Sequence, residues 1–251
     1  MSPFDLTGRC AIVTGANTGI GQAIAIGLAE AGADIVGAGR SAMDDTAHVV
    51  TSTGRRFVSL KADLSDTKEA GAVVERAFAA GASPDILVNN AGIIRRADAL
   101  EFTEEDWDAV LDTNLKSVFF LCQAFAKAAL ARDMPAKIIN IASLLSFQGG
   151  VRIPSYTASK SGLAGITRLM ANEWASKGIN VNAIAPGYVE TNNTEALRAD
   201  AERSADILKR IPAARWAKPQ DMVGAAVFLA SRASDYVHGT LLPVDGGWLA
   251  R

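Results

Sequence analysis

Histidine and cysteine are scarce in this sequence of 251 residues, which contains two of each. His48 and His238 lie far apart, and no cysteine or carboxylate stands near either of them at a spacing typical of metal ligands, so we expect no metal site. Cys10 and Cys122 fall within apolar patterns. We expect both to be buried free thiols rather than a disulfide, as in a protein of the reducing cytoplasm.

Long apolar runs and a large charge of either sign are also lacking. Hydrophobic residues make up 49% of the chain, but no run approaches the ~18 residues that a membrane-spanning helix needs. Segment 1–6 has neither the basic region nor the apolar core of a signal peptide. Lys plus Arg number 25 against 27 Asp plus Glu, a net charge of -2. We therefore expect a cytoplasmic protein that binds a small molecule, not a nucleic acid or a membrane.

Short apolar runs that predict buried strands alternate with helical patterns along the whole chain. We find no repeat, low-complexity linker or internal boundary. This alternation predicts one α/β domain over residues 1–251, a Rossmann-type doubly wound parallel sheet of about seven strands with helices on both faces. The predicted strands are 10–14, 34–38, 57–62, 85–88, 137–142, 179–185 and 240–244.

A glycine-rich turn follows the first predicted strand and leads into an alanine-rich helix. Glycines allow the backbone to come close to a pyrophosphate, and a helix N-terminus offers free N–H groups and a partial positive charge. The spacing is G-x-x-x-G-x-G, not the commoner G-x-G-x-x-G, so a purely structural turn is an alternative for this motif alone. The residues of this candidate dinucleotide site are Gly15, Asn17, Thr18, Gly19, Ile20 and Gly21.

The end of the second strand bears on the choice of coenzyme. An acidic residue there would accept a hydrogen bond from the 2′-hydroxyl of NAD, whereas an arginine can pair with the 2′-phosphate of NADP. Gly39 stands in the place of the acid and Arg40 follows it. The sequence thus favours NADP over NAD, unless Arg40 simply lies in solvent. After the third and fourth strands, where the adenosine half would lie, come Asp63, Leu64, Asn90 and Gly92.

Tyr156 and Lys160 stand four residues apart in a predicted helix, and therefore on one face of it. A free tyrosine has a pKa near ~10, and a lysine charge beside it favours the phenolate. Lowering the pKa of Tyr156 by roughly three units would take about 4 kcal/mol. Ser143 ends a predicted strand, at the edge of the sheet where ligands bind, and can orient a substrate oxygen. A surface tyrosine with a solvated lysine is the alternative that this pair alone leaves open.

Two further segments contribute to the predicted cleft. A long helix is predicted over residues 103–132, with an apolar stripe that includes Asn114. Because a buried amide without partners is unfavourable, we expect Asn114 to belong to a polar network. The charged stretch 188–212 predicts a mobile helical lid over the cleft.

In this order, the motifs resemble the short-chain dehydrogenase/reductase family over essentially the whole chain. The resemblance implies a tetrad in which Tyr156 protonates the substrate carbonyl and Ser143 holds it. Lys160 would lower the pKa of the phenol and bind the nicotinamide ribose, and Asn114 would position a water molecule. It also implies a homotetramer and four residues beside the nicotinamide: Pro186, Gly187, Val189 and Thr191.

Segments 93–102, 146–150, 188–200 and 245–251 resemble a subgroup of that family. Its members interconvert 2-dehydro-3-deoxy-D-gluconate and the 2,5-diketo form in the bacterial breakdown of pectin and alginate. Such a sugar acid needs a cation for its carboxylate and hydrogen-bonding side chains for its hydroxyl groups. The candidates are Arg95, Arg96 and Arg152 for the carboxylate, and Gln148, Asn192 and Asn193 for the hydroxyl groups.

Two alternatives remain at this point. A 3-oxoacyl thioester reductase would need a basic docking surface for a carrier protein and an apolar acyl channel, which the polar side chains of Gln148, Asn192 and Asn193 disfavour. A non-catalytic coenzyme-binding protein would be free to lose Tyr156 or Lys160, and the sequence keeps both.

Overall fold

The computed structural model describes residues 2–250 and confirms the predicted α/β fold. Seven parallel strands form one sheet in the order β3-β2-β1-β4-β5-β6-β7. The order reverses between β1 and β4, and a crevice at such a point is where doubly wound sheets bind ligands. The strands are β1 Cys10–Thr14, β2 Asp34–Gly39, β3 Phe57–Lys61, β4 Ile86–Asn89, β5 Ala136–Ile141, β6 Ile179–Pro186 and β7 Leu241–Val244.

Helices cover both faces of the sheet. The α-helices are α1 Gly19–Glu30, α2 Asp44–Ser52, α3 Thr67–Ala79, α4 Glu104–Leu111, α5 Ser117–Leu130, α6 Pro154–Trp174, α7 Glu195–Ala199, α8 Ala201–Arg210 and α9 Val223–Ala230. Helices α3, α5 and α6 pack on one face, and α1, α2 and α9 pack on the other. Short 3-10 turns lie at Leu144–Ser146, Ala175–Lys177, Asn192–Thr194, Pro219–Met222, Arg232–Ser234 and Trp248–Ala250.

The two faces explain why the central strands are apolar throughout. Side chains alternate between the faces of a strand, so Ile12 belongs to one core while its neighbours Ala11 and Val13 belong to the other. All positions of β5 and β6 are buried. Continuous apolar runs are therefore favoured over the polar–apolar alternation of a half-exposed sheet.

The segment predicted as one regular helix over 103–132 is different in the structure. Thr103 caps α4 by accepting a hydrogen bond from the backbone N–H of Asp106 at 3.2 Å. Between α4 and α5 the backbone then widens into a π-helical turn, Asp112–Lys116, which contains Asn114. The prediction of an uninterrupted helix is wrong here, because the wider turn is what brings the amide of Asn114 to the loop that follows β4.

The stretch 188–212 is helical, as predicted, and contains the 3-10 turn 192–194 with α7 and α8. One face of α8 buries Ile207 in a small apolar cluster beside the sheet. Whether this stretch moves as a lid remains a prediction.

Cys10 and Cys122 are free and buried, as predicted. Burial raises the pKa of the Cys10 thiol to about 11 and that of Cys122 to about 12. Within residues 2–250, no helix has both the length and the apolar character needed to cross a bilayer. The same part of the chain holds no group of three or more His, Cys, Asp or Glu side chains arranged to bind a metal ion.

Candidate active site

A cavity of about 600 Å³ opens at the carboxyl edge of the sheet, over the point where the strand order reverses. Most of the residues that the sequence predicts for coenzyme and catalysis line this one cavity. They are Gly15, Asn17, Thr18, Gly19, Ile20, Arg40, Asp63, Leu64, Asn90, Gly92, Ser143, Tyr156, Lys160, Pro186, Gly187, Val189 and Thr191, and the predicted substrate residue Asn193 joins them.

The glycine turn after β1 closes tightly on the start of α1. Gly15 and Gly19 have φ values of +66° and +57°, which side chains rarely adopt. A Cβ atom on Gly21 would lie 2.2 Å from the carbonyl oxygen of Gly15, so only glycine fits there. Thr18 makes no side-chain hydrogen bond to the first turn of α1, and that turn carries no acidic side chain. Its N–H groups therefore suit an anion.

Thr14 joins the ends of β1 and β4 at the next part of the cavity. Its hydroxyl oxygen accepts hydrogen bonds from the backbone N–H groups of Asn90 at 2.9 Å and Ala91 at 3.0 Å. The Asn90 amide in turn donates to the carbonyl oxygen of Thr14 at 3.0 Å. This exchange fixes the loop that carries Asn90 and Gly92 against the glycine turn.

At the far end of the cavity, the Arg40 cation lies near the Asp63 carboxylate. The backbone N–H and the hydroxyl group of Ser65 donate to Asp63 at 3.0 and 2.8 Å, and these bonds lower the pKa of Asp63. The charge of Arg40 lowers it further. Asp63 is thus an ionised acceptor at neutral pH, with Arg40 beside it as the cation.

Tyr156 and Lys160 lie on one face of α6 at the opposite end of the cavity. The Lys160 ammonium group is 5.6 Å from the centre of the Tyr156 ring, and it donates to the carbonyl oxygen of Ile141 at 2.6 Å. Burial lowers the pKa of Lys160 to about 8. Burial raises the pKa of Tyr156, whereas the hydroxyl group of Ser143 and the charge of Arg96 act in the opposite direction.

The expected effect of Lys160 on Tyr156 is not found in this arrangement. The groups that lower the pKa of the phenol are Ser143 and Arg96, and the net shift is upwards. The physical reason is that the Lys160 ammonium is bound to a strand carbonyl, while the partly exposed phenol loses much of its hydration against the cavity wall.

Asn114 lies behind the cavity wall and makes the polar network that its buried position requires. Its side chain accepts from the backbone N–H of Ile93 and donates to the carbonyl oxygen of Ile93, each at 2.8 Å. It also donates to the hydroxyl oxygen of Ser159 at 3.5 Å. A Cβ atom on Gly92 would lie 3.0 Å from the Asn114 oxygen. The implied role of Asn114 in holding a water molecule remains a prediction.

The predicted substrate arginines have different surroundings. Arg95 lines the cavity but pairs with Asp106 at 3.0 Å. Arg152 pairs with Asp98 at 3.3 Å and is not among the residues that line the cavity. Arg96 is not among the residues that line the cavity either. It donates to the backbone carbonyl oxygen of Asn193 at 2.8 Å, which joins the loop after β4 to the start of the predicted lid.

Some functional contacts could not be found from the sequence. Gln148 does not line the cavity; its amide oxygen instead accepts a hydrogen bond from the indole N–H of Trp248 at 3.3 Å. The carbonyl oxygen of Ile141 and both backbone groups of Ile93 serve as partners in the site. Backbone atoms carry no signal in a residue pattern, and Trp248 lies 100 positions from Gln148.

Comparison with known proteins agrees with this geometry. A family model described as enoyl-(acyl carrier protein) reductase matches residues 15–249. The 2-dehydro-3-deoxy-D-gluconate 5-dehydrogenases of Escherichia coli K12 and Dickeya dadantii 3937 are 61% and 60% identical to the chain, and each alignment covers 100% of this chain and 99% of the relative. This chain belongs to the short-chain dehydrogenase/reductase family.

A solved structure of a family member is equally similar. It is described as a candidate 2-deoxy-D-gluconate 3-dehydrogenase from Agrobacterium tumefaciens with bound NADP. It superposes with a TM-score of 0.95 at 61% identity, over 100% of both chains. As a member of the short-chain dehydrogenase/reductase family, this protein is an NAD(P)-dependent oxidoreductase that acts on hydroxyl groups.

Proposed function

We propose that this protein interconverts 2-dehydro-3-deoxy-D-gluconate and its 2,5-diketo form with NADP(H), or alternatively NAD(H), as coenzyme. The observation that carries the proposal is the full-length identity of about 60% to enzymes named for that substrate. The alignment of Ser143, Tyr156 and Lys160 along one cavity supports the same chemistry.

The residues of the cavity fit a dinucleotide. The glycine turn leaves no room for side chains, and α1 presents an uncapped N-terminus without acidic residues. Arg40 supplies a cation for a 2′-phosphate group at the adenosine end, and the nicotinamide end lies beside Pro186 and Gly187. When bound, the coenzyme supplies or accepts a hydride ion at the substrate carbon.

The side chains of the protein donate or accept the proton and orient the substrate. Because its pKa is raised, the Tyr156 phenol keeps its proton at neutral pH and is able to donate it to a carbonyl oxygen. Ser143 lies beside the phenol and can hold the same oxygen atom. Lys160 and Asn114 would pass a replacement proton to the phenol from the buried side. In the reverse direction Tyr156 accepts the proton from the alcohol.

Arg96 is the arginine that best suits the substrate carboxylate. Arg95 and Arg152 each pair with an acidic side chain. Arg96 donates to the neutral carbonyl oxygen of Asn193, a cavity residue, and its charge lowers the pKa of the Tyr156 phenol. An arginine that is bound only to a neutral carbonyl oxygen can still form a bidentate pair of hydrogen bonds with a carboxylate. Asn193, at the cavity wall, would bind a hydroxyl group.

We further propose a cytoplasmic homotetramer with a substrate lid over 188–212. Two free buried thiols are typical of a reducing compartment. Trp107 on α4 and Phe120 on α5 are 40% and 41% exposed, so these helices present apolar surface that suits packing between subunits. Mass measurement in solution tests the assembly.

A coenzyme-monitored assay tests the reaction. The wild-type protein should oxidise NADPH with a 2,5-diketo sugar acid and show little activity with an acetoacetyl thioester. Tyr156→Phe should lose at least about a thousandfold in kcat because the proton donor is missing, while NADPH binding stays within twofold. Tyr236→Phe is the matched control, since Tyr236 is 99% exposed.

The other outcomes separate the alternatives. Faster reduction of the thioester would favour a 3-oxoacyl reductase. Binding of NADPH without reduction of either compound would favour a non-catalytic coenzyme-binding protein.

A further inference from the structure

A small apolar cluster lies beside the substrate end of the cavity, apart from the two large cores of the sheet. Its buried members come from the loop after β5, from α8 and the residues that follow it, and from the last described turn of the chain. They are Leu144, Ile207, Ile211, Trp216 and Trp248. Three segments that are distant in sequence therefore meet in this cluster, and its member Trp248 is 3% exposed.

The Trp248 side chain contacts three of the segments that surround the substrate end. Its indole N–H donates to Gln148 at 3.3 Å, in the loop that begins at Ser143. The guanidinium carbon of Arg210, in the last turn of α8, lies 4.1 Å from the centre of the indole. The Tyr188 ring, just after β6, lies 4.7 Å away in a tilted arrangement. Cation–π and ring contacts of this kind favour one fixed orientation of the indole.

The turn that carries Trp248 is itself fixed. The Asp245 carboxylate accepts from the backbone N–H groups of Gly247 and Leu249, each at 2.9 Å. The carbonyl oxygen of Gly246 accepts from the N–H of Ala213 at 3.0 Å, directly after α8. A Cβ atom on Gly187 would lie 2.7 Å from the Asp245 Cα atom, so the turn also packs against the cavity wall. The turn that carries Trp248 is thus held by its own backbone and by Ala213, and does not depend on the indole side chain.

We propose that Trp248 is a positioning residue for substrate binding. It fixes α8 relative to the loop that carries Ser143, and so sets the space between Ser143 and the predicted lid in which the sugar acid binds. This inference rests on the proposed function for its substrate.

Coenzyme binding should not depend on the Trp248 side chain. Arg40, at the adenosine end of the cavity, follows β2, the second strand in the order, whereas Trp248 follows β7, the last strand. At the nicotinamide end, Gly187 packs against the backbone of Asp245, which the loss of the indole leaves in place. A loss of Trp248 should therefore change the KM for the sugar acid and leave the affinity for NADPH unchanged. A residue with a merely structural role would affect both, together with stability.

Three variants separate the contacts of Trp248. Trp248→Leu removes the ring contacts and the hydrogen bond, and should raise the KM for the sugar acid about tenfold with the Kd for NADPH within twofold. Trp248→Phe keeps a ring but loses the N–H group, and Gln148→Met removes the acceptor. Each should raise that KM about threefold, and the double variant should show no further rise because both remove one hydrogen bond.

Trp174→Leu is the matched control. Trp174 ends α6, about 27 Å along the helix from Tyr156, and packs against a different core. It should lower stability, since the half-buried indole packs against that core, and leave the KM for the sugar acid unchanged.

Limited trypsin digestion measures the local opening of α8 and requires no substrate. Helix α8 contains Arg203, Lys209 and Arg210, whose side chains are exposed, so local unfolding of the helix lets trypsin cleave the backbone there. Trp248→Leu should be cleaved within 195–210 at least fivefold faster than the wild type and Trp174→Leu, on the order expected for a local opening. Unchanged cleavage, or a loss of NADPH affinity equal to the rise in KM, would overturn the inference. If the wild type converts no sugar acid, the proposed function fails, and the digestion still decides the role of Trp248.

Discussion

The Lys160 ammonium group donates a 2.6 Å hydrogen bond to the backbone carbonyl oxygen of Ile141, the last residue of β5. A buried cation is thereby held by a neutral dipole, and burial lowers its pKa to about 8. The bond also fixes α6 to the strand that leads to Ser143. The two segments that carry the proposed catalytic residues thus share one polar contact, whose strength depends on the protonation of Lys160.

Lys160 should contribute stability that rises with pH between about 8 and 10, opposite in sign to the contribution of the buried thiols Cys10 and Cys122, whose pKa values are raised by folding. Folding lowers the pKa of Lys160 from 10.5 to about 8, so the unfolded chain binds more protons in this window and the free energy of unfolding increases with pH. The full shift corresponds to on the order of 3 kcal/mol. Urea unfolding at pH 7.5 and at pH 10 measures the difference in the free energy of unfolding. Lys160→Met should remove the Lys160 contribution, so that its free energy of unfolding rises less with pH, or falls more, than that of the wild type. The exposed Lys127→Met should follow the wild type. Equal slopes in all three proteins would contradict the assignment.

Gly21→Ala should abolish NADPH binding and lower stability. The added methyl group would meet the Gly15 carbonyl oxygen at 2.2 Å and the Asn90 amide at 2.3 Å, and overpacking of this kind costs about 1–3 kcal/mol. Gly71→Ala in α3 is the control, because nothing lies within 4 Å of the new Cβ atom. It should stabilise the protein by about 0.5–1 kcal/mol. Thermal melts of both variants with and without NADPH measure stability and coenzyme binding. If Gly21→Ala still bound NADPH, the glycine turn after β1 would have room for a side chain, contrary to this prediction.

Arg40→Ala should weaken NADPH far more than NADH. A hydrogen-bonded charge pair with a 2′-phosphate is worth about 1.5–3 kcal/mol, or about 10- to 100-fold in Kd, and NADH has no such group. Arg55→Ala makes the same change of charge at the opposite edge of the sheet, where Arg55 donates to the carbonyl oxygen of Gly32 at 3.4 Å. Fluorescence titration with both coenzymes reports the ratio. Equal losses for both would show that Arg40 does not contact the phosphate.

Arg96→Met should raise the KM for the sugar acid about 10- to 100-fold, since it removes the proposed partner of the carboxylate. Arg152→Met should change the KM less than twofold, because Arg152 already pairs with Asp98. A neutral analogue that lacks the carboxylate should bind wild type and Arg96→Met alike. If the neutral analogue is affected equally, Arg96 acts through its bond to the Asn193 carbonyl oxygen instead.

The sequence predicted the sheet and the glycine turn well because both depend on local patterns. The first strand, Cys10–Thr14, has the predicted bounds, and each of the other strands differs from its prediction by one residue at one end or at both ends. Buried strands and glycines with positive φ have few physical alternatives. Ser143, Tyr156 and Lys160 were found by the same logic, since strand ends and helical spacing place them at one edge.

The partners of long polar side chains could not be predicted in the same way. Gln148 and Arg152 were expected at the substrate, yet the structure gives them Trp248 and Asp98 as partners. A long, flexible side chain has several possible partners within reach. Which partner it binds depends on the tertiary structure, which brings together residues that are far apart in sequence. Lys160 likewise binds a backbone carbonyl that a residue pattern does not reveal.

The wide turn between α4 and α5 has a consequence for any shortened version of this chain. Removing one residue from Asp112–Lys116 would let the backbone close into an ordinary α-helix. A π-helical turn takes up its extra residue within that one turn, so α4 and α5 would keep their present faces and Val110 would stay buried. The positions inside the turn would shift instead, and Asn114 would no longer meet Ile93. The extra residue therefore places an amide at the wall of the proposed active site without disturbing the helices on either side of it.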